Sequence, residues 1–392
     1  GDRILATGTT ADILKEYFKD GNELGINIHY VDQDFSKGKG TGVAAGFAKE
    51  FAGEDPFLLI YGDLQYDSAT IKELINEFNT HDLDALLTLL EVDDPSQYGV
   101  VEQDEHGFAT RIVEKPQPGD SPSKMTNAGI YIFNPAVFEA IEKTGVSPRS
   151  EIELTDSIQI MIDEGYRVKG HDIKDGWWKD VGRAHDLLEA NQHYFTKIKK
   201  LIKGTIEPNA HIKGDVYVGE NSLIRSGTYI EGPVYIGDGS DIGPNTYLRP
   251  NTYIGNNCRI GNACEIKASI IMNGTKISHL SYVGDSIIGE NVNFGAATIA
   301  ANLRLDHKAV PIRENGQIIS TGRRKLGVIC GDNVNVGCNV NLEPGVKIGA
   351  NSLIGPNVVV SEDIDPEMVV YIKWADTQDL LIKKKKSEMD IK

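Results

Sequence analysis

The chain has 392 residues, a formal net charge of −17, 40% hydrophobic residues and 25% charged residues. Two domains are the natural expectation at that length, and the acidic balance argues against nucleic-acid binding. No apolar run is long enough for a bilayer, and no basic, apolar leader opens the chain, so a cytoplasmic protein without a membrane anchor is expected.

In chain order, Ile4-Leu5-Ala6 reads as a short strand, Asp12 to Phe18 as a helix and Ile26 to Val31 as a strand. Gly38-Lys39-Gly40-Thr41-Gly42 precedes an Ala-rich helix from Val43 to Phe51. Phe57 to Tyr61 is an apolar strand ending in Gly62-Asp63; the helix Ser68 to Asn79 and the strand Leu83 to Leu90 follow. Strands alternating with helices predict a largely parallel, doubly wound (Rossmann-like) α/β sheet. Ligands of such sheets lie beyond the carboxyl ends of the strands, where the Gly-rich turn and Asp63 fall. A carboxylate there can hold Mg²⁺ against phosphate oxygens, or simply cap the next helix.

Further motifs follow: Tyr98-Gly99-Val100-Val101, Ile112-Val113-Glu114-Lys115-Pro116, Asn127-Ala128-Gly129-Ile130-Tyr131, Glu153-Leu154-Thr155-Asp156 and Trp177-Trp178-Lys179-Asp180-Val181-Gly182. In this order they resemble the nucleotidyltransferases that join sugar 1-phosphates to nucleoside triphosphates, over about residues 1–200. The resemblance implies that Gly40 and Thr41 hold the nucleotide base and that Asp63 and Asp180 bind Mg²⁺. It implies that Gly99, Glu114 and Asn127 hydrogen-bond the sugar and that Lys115 meets the sugar phosphate in catalysis. Catalysis of that in-line transfer rests on positioning and charge neutralisation. The family's opening loop, L-A-A-G-x-G-T-R, is not found in this sequence, so this chain alone is expected not to transfer a nucleotidyl group. The stretch Gln33 to Lys39 is also longer than usual before Gly40.

Gly182 to Lys203 reads as one helix joining the halves, giving expected domains 1–182, 183–204 (linker), 205–365 and 366–392. From Ile206 aliphatic residues recur every six positions without slip to Ile266, and the beat returns from Cys330 to Val360. This is the hexapeptide signature of a left-handed parallel β-helix, in which three faces close one coil of about 18 residues. The Gly or Asn that often follows the aliphatic suits corners needing positive φ. The four cysteines all lie in the repeat, and the six-residue spacing of Cys258 and Cys264 would stack them on one face, for packing rather than zinc. The beat is interrupted after Ile266 and again over Ala309 to Gly327. Ser361 to Lys392 reads as a strand and a charged helix.

Around the first interruption the residues exceed what a coil needs. Arg249 and Lys267 are 18 apart, one coil, so they stack and repel unless an anion lies between them. His279 is a surface histidine or a general base. With Glu265, Tyr282, Asn293, Ala296, Asn302 and Lys308, the set resembles the acetyltransferase half of bifunctional enzymes of UDP-N-acetylglucosamine synthesis, with an insertion of the archaeal type.

The resemblance implies that His279 deprotonates the hexosamine amine, which attacks acetyl-CoA, and that Asn302 orients the reacting groups. Arg249 and Lys267 would hold the sugar phosphate, Tyr282 and Asn293 the sugar, and Glu265 the imidazole. Lys308 would line the site or come from a neighbouring subunit, and Ala296 would meet CoA; the charges of Arg323-Arg324-Lys325 in the second interruption either meet the phosphates of CoA or lie on a solvated hairpin. The implied substrates are acetyl-CoA, glucosamine or galactosamine 1-phosphate and, for the full-length parent, UTP with Mg²⁺; a homotrimer is implied too. Two other readings stay open: a glucose-1-phosphate uridylyl- or thymidylyltransferase with a structural coil, and a non-catalytic regulatory subunit.

Overall fold

The computed structural model describes residues 2–7, 11–33, 38–117, 121, 123–173, 176–314, 316–373 and 380–385. They fall into two compact units, Gly1–Asp180 and Val181–Lys392. Part of the Gln33 to Lys39 stretch and the end of the Ser361 to Lys392 segment lie outside the described residues.

The N-terminal unit is built around the strand Met125–Phe133, buried from Ala128 onward. It pairs antiparallel with Phe57–Ile60 on one side and with Ala85–Glu91 on the other. Val168–Asp172 joins Ala85–Glu91 in parallel, and Gly99–Gln103 pairs antiparallel with Ala109–Glu114. The sheet is therefore mixed, where strand–helix alternation predicted mostly parallel pairs. The reason lies after residue 91. Three strands follow with no α-helix between them among the described residues, and strands joined without a crossover pair antiparallel. Two apolar clusters cover the sheet. One holds Leu87, Tyr131, Phe133 and Leu154, with the helices Ala136–Lys143 and Leu154–Asp163; the other holds Leu74, Phe78, Leu86 and Ile130, with Ser68–Thr80. Apart from this sheet, Asp2–Thr7 pairs in parallel with Asn27–Asp32, and Leu64–Tyr66 pairs antiparallel with Trp178–Asp180.

The second unit opens with a helix over Asp186–Phe195, shorter than the predicted span. Chain that was read as helix already belongs to the coil, because Leu201–Ile202 pairs with the first full turn of the solenoid. Three parallel sheets form its faces, here called first, second and third in chain order. Ile224, Ile242, Ile260 and Ile277 stack on the second face, and Ile230, Leu248, Ile266 and Val283 on the third, all fully buried. This is the aliphatic stack that the beat required.

The first interruption is not a break. The coil runs through it with two steps of five residues, Ile266 to Ile271 and Val283 to Ile288, and each shortens its turn to 17 residues. Both steps fall at the corner from third to first face. The longer insertion leaves from the same corner, between Ala300 and Ile329, and carries the hairpin Pro311–Glu314 with Gln317–Ser320.

Three expectations change in this unit. Positive φ at the corners falls mainly on Asn, as at Asn221, Asn257 and Asn291; of the glycines after an aliphatic Gly243 has it, at φ 104°, while Gly237 and Gly255 do not. Those glycines answer to crowding: a Cβ on Gly237 would lie 2.3 Å from Asn256 Oδ1 of the next turn. Cys258 and Cys264 are both buried in the core but belong to successive faces, because six residues make one face and not one coil. Finally, Leu380–Lys385 is a strand antiparallel to Met368–Lys373, extending the second face, where a charged helix was expected.

Candidate functional site

In the N-terminal unit a hydrogen-bond chain links the predicted base and sugar residues. Asn127 Nδ2 donates to Tyr131 Oη at 2.5 Å, Tyr131 Oη donates to Tyr61 Oη at 3.1 Å, and Tyr61 bonds Thr41. Thr41 opens the helix Thr41–Gly46 and accepts the Leu154 N–H at 3.0 Å. Gly40 before it has φ 114° and runs against Ile152, whose carbonyl oxygen lies 2.4 Å from where a Cβ would sit. Burial raises both tyrosine pKa values, so the phenols stay protonated and able to donate.

Gly99 lies opposite Glu114 in the strand register. Glu114 Oε2 accepts from Thr155 Oγ1 at 3.0 Å, and its Oε1 from Arg149 Nη2 at 3.1 Å. Arg149 also bonds the buried Glu153 at 2.6 Å. A Cβ on Gly99 would meet Thr155 Cγ2 at 2.9 Å and Glu114 Oε2 at 3.1 Å, so the bare backbone there is built in. Lys115 leaves the strand with φ 43°, its N–H bonded to the Tyr98 carbonyl at 3.0 Å. Asp180 pairs with Leu64, so Asp63, in the turn just before that strand, is next in sequence to the Asp180 pairing partner. Two carboxylates so placed suit Mg²⁺, which takes one or two of them plus substrate phosphates. Among the described residues no cluster of three or more His, Cys, Asp or Glu forms an all-protein cage.

Tyr61 and Arg149 were not singled out from the sequence, and Tyr131, which closes the motif from Asn127, was given no role. A tyrosine on a buried strand reads as core, and an arginine in a loop carries no pattern.

In the second unit, the third-to-first corner gathers the other cluster. Arg249 Nη1 bonds Glu265 at 2.8 Å, and Lys267 Nζ bonds Asp285 at 2.8 Å. Asn302 Nδ2 donates to the same Asp285 carboxylate and also bonds Tyr282. Glu265 raises the Arg249 pKa, and burial raises that of Tyr282. Arg249 and Lys267 do lie one coil apart, side by side. Their repulsion is already offset by one carboxylate each, so stacking alone does not demand an anion. Glu265 is held by the Arg249 guanidinium, where the expected role was to hold an imidazole.

Beside the cluster is a cleft of about 310 Å³, lined by Leu188 and Gln192 of the helix, by Arg249, Lys267 and Asp285 of the corner, and by Arg323 of the insertion, with Pro250, Asn251 and Ala268. The helix is fixed there by Leu188, packed with Ile287, Val310 and Leu326, and by Asn191 bonding the Asn251 carbonyl.

The remaining predicted residues lie elsewhere. His279 ends the strand Lys276–His279 and sits, exposed, at the second-to-third corner. Ala296 is at the same corner one turn on, where the Ala297 N–H bonds the His279 carbonyl. The third-face strand Tyr282–Gly284 runs between this edge and the cleft edge. Asn293 is on the second face, in register with Lys276. Lys308 and Arg324 are exposed on the two arms of the insertion. Asp285 was missed as a functional candidate. The five-residue step that places it is the signal that pointed to it.

The sequence matches the Nucleotidyl transferase family over residues 3–197, the GMPPB C-terminal domain over 230–343 and the bacterial transferase hexapeptide repeat over 327–362. It is 42% identical to the bifunctional protein GlmU of Methanococcus maripaludis, covering 98% of this chain and 88% of that one. It is 45% identical to the bifunctional sugar-1-phosphate nucleotidylyltransferase/acetyltransferase of Sulfurisphaera tokodaii, covering 83% and 79%. A solved UDP-glucose pyrophosphorylase complexed with UDP-glucose aligns at 25% identity and TM-score 0.44, over 50% of this chain and 81% of the other. Among the described residues no helix is long and apolar enough to cross a membrane.

Proposed function

This chain belongs to the bifunctional sugar-1-phosphate nucleotidylyltransferase/acetyltransferase family, and from that premise we propose that its β-helix unit acetylates the amine of a hexosamine 1-phosphate from acetyl-CoA. Glucosamine 1-phosphate is the preferred acceptor in this reading. In the full-length parent the N-terminal unit would join the acetylated sugar phosphate to UTP, with Mg²⁺ held by Asp63 and Asp180.

The observation that carries the reading is the arrangement across the third face. A cationic cleft stands at one edge, with Arg249 and Lys267, and His279 stands at the other with Ala296. The three residues from His279 to Tyr282 span about 10 Å of extended chain. In this reading a sugar phosphate with its phosphate at the cleft lies over Tyr282 and turns its amine toward the His279 edge. His279 takes the ammonium proton, the amine attacks the thioester carbonyl, and CoA leaves as the thiol. Tyr282 and Asn302, tied to each other and to Asp285, orient the sugar between them. A purely structural coil, or a non-catalytic subunit, would need neither the buried Lys267–Asp285–Asn302 network nor the cleft. Lys308 on its exposed arm is suited to reach a neighbouring copy, in keeping with a homotrimer.

The test is acetyl-CoA-dependent thiol release with glucosamine 1-phosphate, comparing the chain with His279→Ala. The expected loss is about 100-fold or more, the scale of a missing general base. Equal rates in the two proteins would remove His279 from the reaction.

A further inference from the structure

The insertion was expected to turn Arg323 toward CoA or toward solvent. Its side chain instead lines the cleft that holds Arg249 and Lys267, anchored to Glu189 of the helix by a 3.4 Å bond from Nη1. Its Nε is buried and has no hydrogen-bond partner. A buried guanidinium donor left unpaired is costly unless a ligand completes it. Three cations line the cleft, each paired with one carboxylate, Glu265, Asp285 and Glu189, and the Arg323 Nε–H is left over without a partner. The unpaired Nε–H beside two further cations, and the planar fork of arginine, fit a phosphate dianion.

We propose that Arg323 is a specificity residue for the acceptor, closing on the 1-phosphate of the amino sugar from the side opposite Arg249 and Lys267. This rests on the acetyl-transfer reading for the identity of the ligand. It also explains the insertion, which with the helix Asp186–Phe195 supplies the wall that makes the phosphate a requirement. Gln192, on the same wall, offers a neutral donor.

The experiment compares the full chain with Arg323→Gln and Arg323→Lys, using glucosamine 1-phosphate and glucosamine as acceptors. Losing one charge-assisted contact should raise KM for glucosamine 1-phosphate about 10- to 100-fold in the Gln variant, with a smaller rise for Lys. KM for acetyl-CoA and the weak rate with glucosamine should stay within about 2-fold of the parent.

A rise in KM for acetyl-CoA instead would overturn the proposal in favour of a CoA contact. A fall in melting temperature with equal loss on both acceptors would overturn it in favour of a structural role. Calorimetric binding of glucosamine 1-phosphate separates the two levels. Binding by the parent that is weakened in Arg323→Gln, without any acetyl transfer, would support the phosphate site while sinking the functional reading. Acetyl transfer by the parent, matched by the variant in every constant, would do the reverse.

Discussion

Replacing Gly284 by Ala tests the third face with one methyl group. Gly284 has an ordinary φ, but a Cβ there would lie 2.4 Å from Tyr282 Oη and 2.6 Å from Asn302 Nδ2. Comfortable contact is about 3.5–4.0 Å, so both polar atoms must retreat by about 1 Å. Overpacking of this kind costs about 1–3 kcal/mol, and the loss of glycine's freedom in the unfolded chain returns about 0.4–1 kcal/mol. The net change in stability is therefore at most about 2.5 kcal/mol, and less where the ends of the side chains swing aside. A displacement of about 1 Å at the reacting groups costs about 100-fold in rate. The expected result is a folded β-helix by circular dichroism and guanidinium titration, with acetyl transfer reduced about 100-fold. Activity within 3-fold of the parent, about 0.7 kcal/mol, would mean that Tyr282 and Asn302 do not position the acceptor.

Asp285→Ala strands Lys267 and Asn302 together; a broken buried pair costs about 3–5 kcal/mol, and the partial exposure of Lys267 puts the expected loss near about 3 kcal/mol in denaturant titration. Gly40→Ala should lower the stability of the N-terminal unit by about 2 kcal/mol or more, because φ is positive there and Ile152 blocks the methyl; an unchanged midpoint would contradict the packing. The Asp241 pKa is lowered by its bonds to Arg225, with burial opposing and Arg259 assisting. Its folded value lies below the unfolded one of about 3.9, so its stabilisation is complete above that pH and lost as pH falls further. Melts from pH 6 to 3 should show a shallower decline for Asp241→Asn than for the parent, and parallel curves would refute the assignment. Burial pushes the Cys258 thiol up to about 11, and Cys264 and Cys330 are buried too, so a thiol reagent at pH 8 should label Cys338 and spare the other three until the coil unfolds.

The solenoid was legible because its period is a local rule. Each aliphatic needs only its counterparts six and eighteen residues away, so Ile224, Ile242 and Ile260 announce a stack that the structure repeats. The N-terminal motifs were legible for a similar reason, since Gly99, Glu114 and Asn127 carry chemistry in a fixed order. The pairing of their strands was less so. Direction depends on what fills a connection, and among the described residues the segments between Glu91 and Met125 hold turns and no α-helix.

The sequence by itself determined the coil, the two-unit division of labour and most of the candidate residues, because repeat period and motif order survive without three-dimensional knowledge. Only the tertiary structure decided which of them meet. It assigned Glu265 to Arg249, joined Lys267 to Asn302 through Asp285, and separated His279 from that group by the width of a face. It also brought Arg323 to the corner from 56 residues beyond Lys267. The physical reason is that a coil converts spacing into position only while its turns are regular. Where two turns are short and a third opens into an insertion, position follows from packing and charge pairing, which the linear pattern does not encode.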